Sequence, residues 1–238
     1  ENIFNSYLGK TGETPGDPKP LPPLSYRKMF QLKKGSTAGL LKEISYFRDL
    51  FRSTVEGNWD ELLQMKWLRT SGLFTTDGIE RYLREEVLPS NRFQDYLADL
   101  FIVGTDLNQS KKIIFSRYNY EASSDELFTH YVDDVPISQA CAASTAVPFV
   151  FSPYSIDTGG KRSDFIDGEI RDTLSSHVAI DAGADLVIAS YTHQPYQYNK
   201  ELGSLTEHGL PSLLIQSLYL LIEQKIVAHI HHKRLQRK

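Results

Sequence analysis

The sequence predicts an α/β fold, a layered sheet flanked by helices, and three observations carry that expectation. Short apolar runs recur from residue 100 onward, at Leu100–Val103, Ile113–Phe115, Phe149–Phe151, Phe165–Ile166 and Leu186–Ala189; runs of this length, bounded by turn residues, suit buried strands. Segments with helical character, 137–146 and 175–182, lie between them. Turn formers punctuate the boundaries, above all Asp167-Gly168 and Gly183.

Taken in order, residues 9 to 23 are rich in Gly and Pro and read as a loop or linker. Residues 37 to 69 space Leu40, Leu41, Ile44, Phe47 and Phe51 as a helix does, and are expected to form a helical cap outside the sheet. Asp77-Gly78-Ile79-Glu80 resembles a capping box, Ile79, Leu83 and Val87 mark one helix face, and Pro89 ends that helix. Strands at 100–103 and 113–115 should pair across the polar turn from Asn108 to Lys112, with Asp106 as a turn former. Pro136 opens a helix to Ala146 whose run Ala140-Cys141-Ala142-Ala143-Ser144 is small enough for close approach to a sheet. Ser138 and Ser144 on it read as packed or capping hydroxyls. Strands at Phe149–Phe151 and Phe165–Ile166, a helix over 175–182 closed by Gly183, and a strand over 186–189 complete the core. Leu213 to about Arg237 reads as an amphipathic helix with a basic end. The organisation expected is a single domain over 1–238, with linker and cap in 1–70, the core in 71–190 and a helical segment in 191–238.

A net charge of −4 argues against a dedicated nucleic-acid binder. A single cysteine, Cys141, excludes an internal disulfide. The longest apolar stretch, Leu213 to Ile222, is broken by Gln216 and Ser217 and reads as too short to span a bilayer. His229, His231 and His232 suggest a metal, but 231 leaves the face that 229 and 232 share, and no Cys or carboxylate stands nearby; a solvated basic helix end is the better reading. His130, His177, His193 and His208 show no partner pattern. The tail Lys233-Arg234 and Arg237-Lys238 reads as an exposed charge run able to touch anionic headgroups. No G-x-G-x-x-G follows any strand, which argues against a dinucleotide binder, and neither cofactor nor metal is expected.

Asp167 closes one apolar run just before a helix. By itself it reads either as a turn or capping carboxylate or as a general base. Four stretches in order add a resemblance. Ser71-Gly72-Leu73-Phe74-Thr75-Thr76-Asp77-Gly78-Ile79 is the first, and Val103-Gly104-Thr105-Asp106-Leu107 with Ile113-Ile114-Phe115-Ser116 the second. The third is Ile137-Ser138-Gln139-Ala140 continued through Ala143–Pro148 to Phe151-Ser152-Pro153, and the fourth runs from Asp167-Gly168 to Ile188. Together they resemble the patatin-like acyl hydrolases and phospholipases, whose layout is related to that of α/β hydrolases. The resemblance implies hydrolysis of lipid acyl esters by a Ser-Asp dyad without a cofactor, with Asp167 as the base and Gly168 supporting its turn. The nucleophilic serine would sit in a G-x-S-x-G elbow, and a glycine-rich loop would donate N–H groups to the oxyanion. Partners implied are a lipid or acyl ester and, peripherally, a membrane; the compartment stays open, with a cytoplasmic or peripheral-membrane one only weakly favoured.

The sequence departs from the family pattern at Glu169, Thr173 and Ser175, where glycine, asparagine and proline are usual. Glu169 adds a charge beside the proposed base, which would raise a carboxylate pKa unless its side chain turns away. No G-x-S-x-G occurs; Gly35-Ser36-Thr37-Ala38-Gly39 comes nearest, with threonine at the nucleophile position. The expectation is therefore that the elbow lies on a segment before Glu1 and that the 238 residues alone are inactive. A patatin-like module without activity, binding or regulating at lipid, is the alternative.

Overall fold

The computed structural model describes residues 31–32, 72, 74–119, 129–158, 160–192 and 194–236. The linker expected at 9–23 and the cap at 37–69 lie outside them. Two short strands, β1 (Gln31–Leu32) and β2 (Phe74–Thr75), pair antiparallel. Helix α1 (Asp77–Tyr82) continues as a π-helical turn over Leu83–Val87 and stops at the extended Leu88, ahead of Pro89. The main sheet has five strands: β3 (Ile102–Asp106), β4 (Lys111–Phe115), β5 (Thr129–Val132), β6 (Tyr154–Thr158) and β7 (Lys161–Asp167). Their order is β5-β4-β3-β7-β6, with β4 and β5 parallel and every other neighbouring pair antiparallel. Helices α2 (Ile137–Ser144), α3 (Ser176–Asp181) and α4 (Leu210–Gln236) complete the described elements.

Strand β4 shows why an unbroken apolar run belongs in the middle of this sheet. Ile113 and Phe115 face one side, where they meet Ile137, Ala140 and Ala143 of α2 together with Phe93, Val135, Ile156 and Phe165. Ile114 faces the other side, with Tyr131 and Val178 of α3. Successive side chains on a strand point to opposite faces, so a sheet covered on both sides needs apolar residues at consecutive positions. The β3–β4 turn is held as expected: buried Asp106 accepts the N–H groups of Asn108 and Gln109, both at 2.9 Å. In α2, Ala140, Ala142, Ala143 and Ala146 just beyond its end are fully buried, which is what its small side chains permit. Its first turn is tied to α1 through Ser138, whose Oγ donates to Glu80 Oε1 at 2.9 Å and accepts from Asn91 Nδ2 at 2.8 Å.

Four expectations are corrected. The capping box does not form: Thr76, not Asp77, precedes the helix, and Glu80 turns to Ser138 and Arg84 instead of back to the helix start. Phe149–Phe151 is a turn, because Val147 carbonyl takes the N–H of Val150 and of Phe151 while Phe149 adopts a left-handed φ of 71°. Only Phe151 reaches a strand, bridging to Phe74. Residues 186–189 are not a strand. Leu186 and Ile188 are 78% and 86% exposed, and none of the five strands takes up the run; an apolar run becomes a strand only where a neighbour satisfies its backbone. Finally, the apolar part of α4 is longer than the run Leu213–Ile222, since Ser212–His231 is long and apolar enough, by length and composition, to cross a membrane.

Burial pushes the Cys141 thiol from an ordinary 9.0 up to about 11. The unfolded chain ionises this thiol first, so its contribution to stability is complete below pH 9.0 and is lost as pH rises toward about 11. At pH 8 the folded protein should therefore resist alkylation by iodoacetamide, and urea should release the reaction; equal labelling rates with and without urea would contradict the packing of α2.

Candidate active site

Asp167 is the last residue of β7, and β3 and the end of α2 hold its backbone. In the sheet it stands opposite Gly104 of β3. Thr105 Oγ1 of the same strand donates to the Asp167 carbonyl at 3.1 Å. The Asp167 N–H donates to the Ala146 carbonyl just beyond α2, at 3.0 Å. The carboxylate is fixed as well: Oδ1 accepts the Glu169 N–H at 2.9 Å, closing a single 3-10 turn, Gly168–Ile170. The turn-closing reading of the sequence is thus met, and by the same bond that orients the carboxylate. Asp167 remains half-buried.

Gly168 is required by space. A Cβ there would lie 2.3 Å from the Val103 carbonyl oxygen and 2.7 Å from its carbon. Backbone meets backbone at this point, so no side-chain shift relieves the clash. The glycine therefore lets the turn close directly over β3, with Asp167 at its mouth.

The departures from the family pattern have local causes. Glu169 is half-buried, and both its carboxylate oxygens accept from the Leu174 N–H at 3.4 Å, so it ties the 169–174 loop to itself. Leu174 and Ser175 both sit in the left-handed region, at φ 66° and 38°. Proline is locked near −65°, so Ser175 suits this backbone where proline does not. Ser175 Oγ donates to Asp172 Oδ2 at 3.0 Å, an anchor for the strained pair.

A second polar group escaped the sequence reading. Lys112 of β4, 8% exposed, places Nζ 2.7 Å from His177 Nε2 and 3.5 Å from Asp172 Oδ2. An ammonium can only donate, so Nε2 accepts and the ring proton sits on Nδ1, 3.5 Å from the same Asp172 oxygen. Nearby, Ser176 Oγ lies 3.1 Å from His229 Nε2, which joins α3 to α4. These residues are about 50 to 65 positions apart in sequence and carry no spacing signal. Among the described residues no group of His, Cys, Asp and Glu could hold a metal ion. Thr37, the alternative nucleophile, lies outside the described residues.

With this geometry in view, the comparison with protein families is decisive. The signature of the patatin-like phospholipases matches residues 35–180. The chain belongs to the patatin-like phospholipase family. The match takes in Asp167 and begins at Gly35, well ahead of the four stretches recognised from residue 71 onward. It ends before Leu186, the first residue of the run that fails to join the sheet. No curated protein matched the chain in a further comparison. Membership in the patatin-like family implies lipid acyl hydrolysis, and it accords with a mixed sheet flanked by helices.

Two substitutions probe this patatin-like core. Gly168→Ala should cost about 1–3 kcal/mol or more in urea unfolding, as overpacking does; a cost under about 1 kcal/mol would mean that the turn does not lie on β3. Asp172→Ala leaves the buried Lys112 ammonium short of its countercharge and should cost about 1–3 kcal/mol by the same measurement. An unchanged midpoint would show that Lys112 does not depend on the loop.

Proposed function

We propose that this patatin-like protein hydrolyses acyl esters of lipids, of phospholipase A type, with Asp167 as general base for a serine hydroxyl. The observation that carries the reading is the Asp167 carboxylate, half-buried at the end of β7 and oriented by the Glu169 N–H. A carboxylate so held can take the proton of an attacking hydroxyl without an imidazole between them. The hydroxyl oxygen adds to the ester carbonyl and its proton passes to Asp167. As the tetrahedral intermediate collapses, the alcohol leaves with that proton. Water then attacks the acyl-enzyme, giving a proton to Asp167; as the second intermediate collapses, the serine oxygen leaves the acyl carbon, takes that proton back, and the free acid departs. The serine belongs to a G-x-S-x-G elbow that the 238 residues do not include.

A second reading has one observation in its favour. The family match begins at Gly35, the first residue of Gly35-Ser36-Thr37-Ala38-Gly39, a segment with the glycine spacing of G-x-S-x-G and a threonine at its centre. If that segment is the elbow, the attacking hydroxyl is Thr37, or the chain is a lipid-binding module without turnover.

The test uses p-nitrophenyl acyl esters and phospholipid. In the polypeptide that carries the elbow, Asp167→Asn should lower kcat/KM at least about 100-fold, the usual worth of a positioned base or more. Asparagine keeps an oxygen for the Glu169 N–H, so the thermal midpoint should stay close to that of the parent. Retained activity would remove Asp167 from the mechanism. The 238-residue chain alone should be inactive; turnover by it that Thr37→Val abolishes would move the nucleophile to Thr37.

A further inference from the structure

Helix α4 presents two unlike faces. Ile222 and Ile226 are 3% and 2% exposed and pack into the body. Polar bonds on the same side hold the helix in place. Lys225 Nζ donates to the Ile170 carbonyl at 2.7 Å, and Gln216 bonds the Tyr196 backbone twice, at 2.8 and 3.0 Å. His229 meets Ser176. The opposite face carries exposed Leu213, Leu214, Leu220, Leu221 and Val227. Exposed Ser217, Gln224 and Ala228 lie between them. Spacings of three, four and seven put these eight residues on one side of a helix, and none is charged. Only 11% of the apolar segment Ser212–His231 is buried.

We infer that this outward face of α4 docks the protein in the plane of an anionic phospholipid bilayer. Docking in the plane is favoured over spanning. Spanning would require Ser212–His231, about 30 Å of helix, to leave the body, breaking the Lys225, Gln216 and His229 bonds and exposing Ile222 and Ile226. The sequence that follows His232 is basic, with Lys233, Arg234, Arg237 and Lys238. A bilayer with anionic headgroups complements both features at once. Apolar side chains settle into the headgroup–acyl boundary, hydroxyl and amide groups stay hydrated there, and the basic end pairs with lipid charge. The family's lipid substrate gives such a surface a use, but binding and hydrolysis are separate properties.

The experiment is flotation of the chain with vesicles of diether phosphatidylcholine, with and without diether phosphatidylserine. These lipids carry no acyl ester, so the result does not depend on turnover. Binding should favour the vesicles containing phosphatidylserine. It should also weaken as salt rises from about 0.1 M to about 1 M, which shortens the screening length from about 10 Å to about 3 Å. L220E/L221E should lower partitioning at least about tenfold, since each leucine contributes more than a kilocalorie of transfer energy. Both leucines are already exposed, so far-UV circular dichroism and urea unfolding should not change. K233Q/R234Q/R237Q/K238Q should remove the preference for phosphatidylserine. Binding unaffected by L220E/L221E would overturn the assignment. So would protein that resists alkaline carbonate extraction, which marks a span, or a dimer that L220E/L221E dissociates while vesicles capture nothing.

Discussion

Gly168 brings its backbone against the Val103 carbonyl at a distance that leaves no room for a β-carbon, and the site hangs on that contact. It seats the turn after β7 on top of β3. The register follows: Gly104 lies opposite Asp167, Thr105 opposite Ile166 and Asp106 opposite Phe165. Phe165 then meets Phe115 edge-on in the core under α2, and Asp167 comes within reach of the Ala146 carbonyl. The polar end of one strand and the apolar centre of the sheet are thus set by the same glycine.

The arrangement separates the rigid parts of the chemistry from the variable ones. Asp167 is anchored by its pairing with β3, the Ala146 carbonyl beyond α2 and its own turn, which side-chain substitution nearby does not remove, and by the Thr105 hydroxyl, which it does. The loop beyond it is held by side chains instead. Glu169 accepts from Leu174, Asp172 accepts from Ser175, and Lys112 and His177 close on Asp172 from the sheet and from α3. This loop is where the chain departs from its family, and two left-handed residues take the place of a proline turn. The departures are coherent with one another, because a serine at 175 both tolerates that backbone and supplies the hydroxyl that pins it.

How much of this was legible in the sequence depended on how many signals each element carried. Strand β4 was legible because burial on both faces forces an unbroken apolar run, and α2 because consecutive small residues admit a helix against a sheet. Phe149–Phe151 showed the same apolarity but turns at Phe149 and meets Phe74 only at its end, while Leu186–Ala189 joins none of the five strands; composition reports neither. Thr76 and Asp77 were equally good cap residues; the choice fell to Ser138, which drew Glu80 away from the helix start. The Lys112, Asp172 and His177 group was illegible because only the fold brings distant positions together. Asp167 was legible through its motif alone. Its local chemistry, an aspartate closing a turn at Glu169, is shared by many structural aspartates.

The central claim is that the Asp167 carboxylate activates a hydroxyl nucleophile. A fluorophosphonate that traps such hydroxyls, followed by mass-spectrometric mapping of the adduct, measures this without any choice of lipid. The account predicts a single modified hydroxyl in the polypeptide that carries the elbow, with the trapping rate falling at least about 100-fold in Asp167→Asn. Trapping at an unchanged rate in that variant would contradict it.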